Sequence, residues 1–187
     1  MKDLVTREIR YQIIDKNEFL EKYNPDELTQ ENCKGCPYYN NRWSCPPGIP
    51  DLGSYVEDYS KVCIIMLKVN YSEALIKTGR TSAKAADAVR DFYYENTKKT
   101  MLKALLKAES RISGSKLTGA GRCTLCKHCS REEGKPCRNP QLRRFSVTGF
   151  GLDFAKMLND QFDVQLNWCK EGLSEYDVAV SALFLKE

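Results

Sequence analysis

The stretch "KVCIIMLKV", residues 61–69, decides the fold. A short apolar run dense in β-branched and aliphatic residues reads as a buried strand. Upstream, "IRYQIID" (9–15) alternates well enough for a second short strand, and the polar segment near 17–30 is expected to be helical. Residues 31–54, rich in Cys, Pro, Gly and Asn, predict an irregular loop. Downstream, Ala85, Val89, Phe92 and then Met101, Ala104 and Leu105 recur at helical steps, which predicts a long helix over 82–110. Ser82 is its expected cap, and Gly114 lies just past its end. "SKLTGAG" (115–121) is a candidate strand, "GLDFAKMLNDQF" (151–162) a second helix, and "VQLNW" (164–168) and "YDVAVSALFLK" (176–186) are closing strands. Interleaved strands and helices imply an α/β or α+β fold. The expected architecture is a small mixed β-sheet packed by two main helices, with one metal-binding domain over 1–187 and two irregular cysteine-rich loops at 31–54 and 121–146.

Composition is that of a folded soluble protein, except that 9 of the 187 residues are cysteine. The first residues, "MKDLVTREIRYQ", carry charges where a secretion signal needs an apolar core. No apolar run approaches the ~20 residues of a membrane helix. The expectation is a cytoplasmic protein, where clustered cysteines bind metal or do redox work more often than they form disulfides. An odd cysteine count also fits poorly with a fully paired disulfide framework. Net charge is only +4, but residues 111–150 hold nine Lys and Arg against Glu132 and Glu133, so the positive charge gathers around one cysteine loop. Cationic neighbours offset the negative charge of a thiolate-bound iron–sulfur cluster. They would also suit an acidic, ferredoxin-like redox partner.

In "GRCTLCKHCSREEGKPCRNP" (121–140), Cys123, Cys126, Cys129 and Cys137 follow the spacing C-x2-C-x2-C-x7-C. Three thiols at three-residue steps can reach different irons of one [4Fe–4S] cubane, whereas zinc sites more commonly use two separated C-x2-C pairs. In "CKGCPYYNNRWSCPPG" (33–48), Cys33, Cys36 and Cys45 give three thiols, flanked by Pro37, Pro46 and Pro47. A fourth ligand here could be Cys63 or Cys169. The plainer readings are a thiol inside an apolar strand for Cys63 and a strand end beside Trp168 for Cys169. Otherwise one iron stays open, as a Lewis acid for substrate. His128, the single histidine, is expected to point outward. Tyr38, Tyr39 and Trp43 are expected to shield the first site. No P-loop, G-x-G-x-x-G or H-E-x-x-H motif is present.

Both loops resemble those of domain of unknown function family 2284, predicted metal-binding proteins spread through anaerobic bacteria and archaea. The early loop matches at Cys33, Cys36, Tyr39, Cys45, Pro46 and Pro47. The late loop matches at Cys123, Cys126, Cys129, Gly134, Cys137, Arg138 and Pro140, followed by "RFSVTGFGLDF" from Arg144. Where the family shows Pro, Met, Glu and Ala, this chain has Phe145, Val147, Thr148 and Gly149. The resemblance implies iron–sulfur binding and brings no reaction with it.

Three functions fit these features. The first is an iron–sulfur electron-transfer protein with one or two [4Fe–4S] clusters on the seven loop cysteines. The second is an iron–sulfur enzyme, reductive or sulfur-handling, with an open-coordination cluster on Cys33, Cys36 and Cys45. The third is a zinc module for RNA or protein. Neither a membrane nor nucleic acid is the expected partner.

Overall fold

A computed structural model describes residues 3–24, 31–167 and 172–186. Strand β1 (Val5–Asp15) is followed by helix α1 (Lys16–Tyr23) and two single turns, α2 (Glu31–Lys34) and α3 (Leu52–Tyr55). Strand β2 (Lys61–Tyr71) leads into α4 (Glu73–Gly79) and α5 (Ala83–Val89). A π turn (Arg90–Glu95) joins α5 to α6 (Asn96–Glu109). The short β3 (Lys116–Thr118), helix α7 (Phe154–Phe162) and β4 (Tyr176–Leu185) complete the order.

The sheet runs β1-β2-β4-β3, so the apolar run 61–69 in β2 sits between two neighbours. Every ladder is antiparallel. The expected mixed sheet is therefore antiparallel along its strands, and its parallel pairing is confined to the isolated bridge Gly119–Ser146. Alternation along β2 explains the unbroken apolar run. Val62, Ile64 and Met66 face one cluster, with Phe19 and Tyr23 of α1, Met157, Leu158 and Phe162 of α7, and Phe184 of β4. Ile65, Leu67, Val69 and Tyr71 face the opposite cluster, with Ala86 and Val89 of α5 and Met101 of α6. A strand covered on both faces has no side left for polar residues.

Helix ends follow local chemistry. Asp15 and Asp153 accept backbone N–H groups at the starts of α1 and α7, and Ser82 Oγ accepts from Ala85 N at 3.1 Å, as the sequence suggested. The expected long helix is present as α5, the π turn and α6 in succession. Residues 151–153 precede α7 instead of belonging to it, because Asp153 is the cap. The expected strand at 164–168 is not formed over 164–167. Asp163 turns left-handed at φ 51° to end α7, and Val164 then drops into the core at 3% exposure. β4 pairs with β2 on one side and, over Ala182–Phe184, with β3 on the other. Trp168, Cys169 and residues 25–30 of the expected first helix lie outside the described residues. No helix among the described residues is long and apolar enough to cross a membrane.

Two substitutions test this account of the core. Phe184→Ala removes a fully buried ring that packs on Phe19 and should cost about 3–5 kcal/mol. Ile9→Ala, at a position 61% exposed, should stay within about 0.5 kcal/mol of the parent in urea titrations. Equal losses at the two positions would contradict it.

Candidate metal centres

The first cysteine loop is a chain of tight turns. Cys36 N donates to Cys33 O at 3.0 Å, Tyr39 N to Cys36 O at 3.0 Å, and Cys45 N to Arg42 O at 3.0 Å. Asn40, left-handed at φ 56°, donates its N–H to Pro46 O at 2.7 Å and so closes the loop on itself. The result brings Cys33, Cys36 and Cys45 into the wall of one cavity of about 220 Å³, together with Tyr38, Tyr39 and Pro46.

The second loop folds around a short 3₁₀ turn, Ser130–Glu133, that begins at Cys129. Gly134 ends the turn at φ 66°, a left-handed value that favours glycine. Lys135 N then donates back to Ser130 O at 2.9 Å, and Ser130 Oγ to Pro136 O at 2.6 Å. That reversal returns Cys137 to Cys123, Cys126 and Cys129, and all four thiols line a second, small cavity of about 20 Å³. Asn139 Nδ2 donates to Cys126 Sγ at 3.2 Å. Arg143 lines the same cavity, and its Nε is buried with no hydrogen-bond partner. Each of the eight described cysteines is a free thiol. Among the described residues, no group of three or more His, Cys, Asp or Glu side chains is arranged to hold a metal ion as it stands.

The two loops interlock. Arg131 inserts its guanidinium into the first loop, donating to Arg42 O at 3.0 Å, Cys45 O at 2.9 Å and Asn40 Oδ1 at 3.0 Å, and also to Pro47 O. It lies over the Trp43 ring, 4.9 Å from the centroid, and Trp43 Nε1 donates to Lys135 O at 3.0 Å. Arg42 pairs with Glu132. Ser44, fully buried, accepts Cys123 N–H at 2.8 Å on its hydroxyl, and the same oxygen lies 3.5 Å from Cys45 Sγ. One serine therefore touches both thiol sets.

Burial acts on three of the loop thiols. It pushes Cys123 up, reinforced by Cys137, Cys126 and Cys129, while a backbone hydrogen bond at Leu125 opposes it. It also pushes Cys45 up, with the Ser44 hydroxyl and Arg131 pulling the other way. Cys33 rises for the same reason, helped by Cys36 and Cys45. Thiols held protonated release protons when a metal binds, so loading is favoured as pH rises.

Several sequence expectations are revised. Tyr38 and Tyr39 do line the three-cysteine cavity, but Trp43 lines the four-cysteine one. Cys63 pairs with Ile13 and Leu183 inside the sheet and packs with the apolar cluster beneath α5 and α6. It borders neither cysteine cavity. Cys169 lies outside the described residues. His128 is exposed, as expected, and its carbonyl accepts from Arg138 at 3.0 Å. Part of the basic charge around the second loop is held by named partners: Arg144 by Glu109 at 2.6 Å, Arg122 by Glu95 at 3.2 Å, and Arg131 by the first loop. Ser44, Asn139, Glu95 and Lys98 join these sites without any sequence signal beyond ordinary polar residues. Glu95 and Lys98 arrive from the π turn and α6, far from either loop in sequence.

The interlock makes a prediction. Lysine offers its donors from one point and cannot span the four acceptors that Arg131 reaches. Arg131→Lys should therefore leave carbonyls unpartnered at a cost of about 1–3 kcal/mol each. Hydrogen exchange at residues 40–47 should accelerate while β2 stays protected. Unchanged exchange there would show that the loops stand independently.

No curated protein and no solved structure matches the chain. A family model does, over residues 20–185, and spans both cysteine loops and most of the sheet. The chain therefore belongs to DUF2284, the family described as predicted metal-binding protein.

Proposed function

We propose that the chain is an iron–sulfur protein with two centres that passes single electrons from a partner protein to an acceptor. Cys123, Cys126, Cys129 and Cys137 would hold a closed [4Fe–4S] cluster. Cys33, Cys36 and Cys45 would hold a second, open-sided one. The observation that carries this reading is that the two thiol sets line two separate cavities sharing the Trp43–Cys45 segment as a common wall.

The residues fit such a group. The donor set is all sulfur, and thiols ringing a cavity suit a polynuclear group. Arg143 Nε, buried without an acceptor in the four-cysteine wall, would find one in a thiolate or a sulfide. When bound, clusters of this kind supply one-electron redox chemistry. The chain's own residues do the remaining work. Asn139 donates to Cys126 Sγ and so orients that sulfur. Arg131 fixes the peptide of Cys45. Ser44 supplies a short hydrogen-bonded connection between Cys45 and Cys123. Exposed Lys127, Lys135 and Arg138 beside the four-cysteine loop suit an acidic donor.

An enzymatic reading is favoured by one observation, the difference in size between the cavities. The four-cysteine cavity has about 20 Å³ of room, whereas the three-cysteine cavity has about 220 Å³. Electrons reaching the second centre would then meet a substrate there.

Protein purified without oxygen should be brown and should hold iron and acid-labile sulfide in equal amounts. Cys129→Ala and Cys45→Ala should each remove one centre and leave the other. A colourless protein holding zinc would overturn the reading. So would a pair of variants that both lose everything, which would point to one shared site.

A further inference from the structure

The three-cysteine cavity also holds a charged group that thiol ligation does not require. Arg122 lies against it with its guanidinium 4.8 Å from the Tyr38 ring centroid, and Lys98 from α6 lies beside it. Between them stands one carboxylate, Glu95, with Oε1 at 2.6 Å from Lys98 Nζ and Oε2 at 3.2 Å from Arg122 Nη2. Two cations thus stand against one carboxylate in a partly buried wall, and Lys98 is only 8% exposed. Lys98 is committed to Glu95 and to the Tyr94 ring at 4.9 Å. Arg122 meets Glu95 through Nη2 and lines the cavity, and a guanidinium carries five N–H donors, more than that one contact uses. Across from it Thr148 presents a half-buried hydroxyl, 3.0 Å from Ser146 Oγ.

We propose that this cavity binds a small organic carboxylate on the Arg122 guanidinium, with the organic body against Tyr38, Tyr39 and Pro46. The proposal rests on the reading of this cavity as the open-sided centre and names the ligand class for it. A planar guanidinium stacked on a ring is pre-organised to receive a planar carboxylate through two parallel hydrogen bonds. At about 220 Å³ the cavity falls below the ~300–1,000 Å³ of sites for drug-sized ligands, and the centre would share that space, so the carboxylate carries only a short body. The ring and proline wall favours that body over a bare inorganic oxyanion. Thr148 would meet the far end of the ligand.

The test titrates the anaerobically purified full chain by calorimetry with acetate, glycolate and sulfate at constant ionic strength, with iron and sulfide measured on the same samples. Saturable one-to-one binding of the carboxylates, tighter than sulfate, is expected. Arg122→Gln should weaken it by about tenfold or more, through loss of the charge-assisted pair. Thr148→Glu, which leaves the Arg122–Glu95 pair intact, should weaken it similarly by adding a like charge. Both variants should keep the parent's iron and sulfide. Absence of saturable carboxylate binding, parental affinity in both variants, or sulfate binding more tightly than acetate would overturn the proposal. Variants that lose iron but bind acetate as the parent does would show Arg122 serving only to offset the centre's charge, and would also overturn it. Iron-free protein that still binds acetate through Arg122 would count against the iron–sulfur reading and leave the carboxylate site standing.

Discussion

A single guanidinium and a single hydroxyl join what the chain keeps far apart. Arg131 fills the first loop with hydrogen bonds to Asn40, Arg42, Cys45 and Pro47, and Ser44 sits between Cys45 and Cys123. Irregular backbone of this kind has few partners of its own, and each buried carbonyl must find a donor somewhere. Here each loop supplies donors for the other. Neither thiol set is therefore positioned independently, and a change in one loop is felt at the other site.

The sheet provides the frame for that pair of loops. The bridge between Gly119 and Ser146, together with Ser146 N on Ser44 O at 2.8 Å, ties both loops to the end of β3. β3 in turn pairs with β4. On the other side of the site, the π turn between α5 and α6 brings Glu95 to the same region as Lys98. Such turns recur where a helix must redirect a side chain toward a functional surface. Cationic side chains that the sequence gathers around the second loop are mostly held by named partners, so the charge around the thiols is fixed and not adaptable. Fixed donors aimed at sulfur are the means by which a protein tunes a metal centre.

Much of this was legible in the residues. The run 61–69 announced a buried strand, and the structure gives it a helix layer on each side. Ser82 was readable as a cap because a serine hydroxyl satisfies an orphan N–H regardless of tertiary context. The cysteine spacing gave the grouping into two sets because thiols a few residues apart have little choice of neighbour. What stayed hidden depends on contacts at long range. "VQLNW" has a strand's alternation, but the left-handed Asp163 turns the chain so that Val164 enters the core. Trp43 lies between the first-loop cysteines in sequence and yet turns to the second cavity, because Lys135 offers its carbonyl there. Glu95 and Lys98 read as an ordinary helical pair at three-residue spacing. Only the packing of α6 against Gly121 and Arg122 makes them part of a site.

The two proposed iron–sulfur centres would stand on opposite sides of the Trp43–Cys45 wall, connected through Ser44. Electron paramagnetic resonance of the dithionite-reduced protein tests this arrangement most directly. Two paramagnetic clusters so close together should give a spectrum broadened by their mutual coupling, and Cys129→Ala should sharpen it to that of one cluster. A reduced protein that stays silent, or one whose signal is narrow and unchanged in that variant, would contradict it.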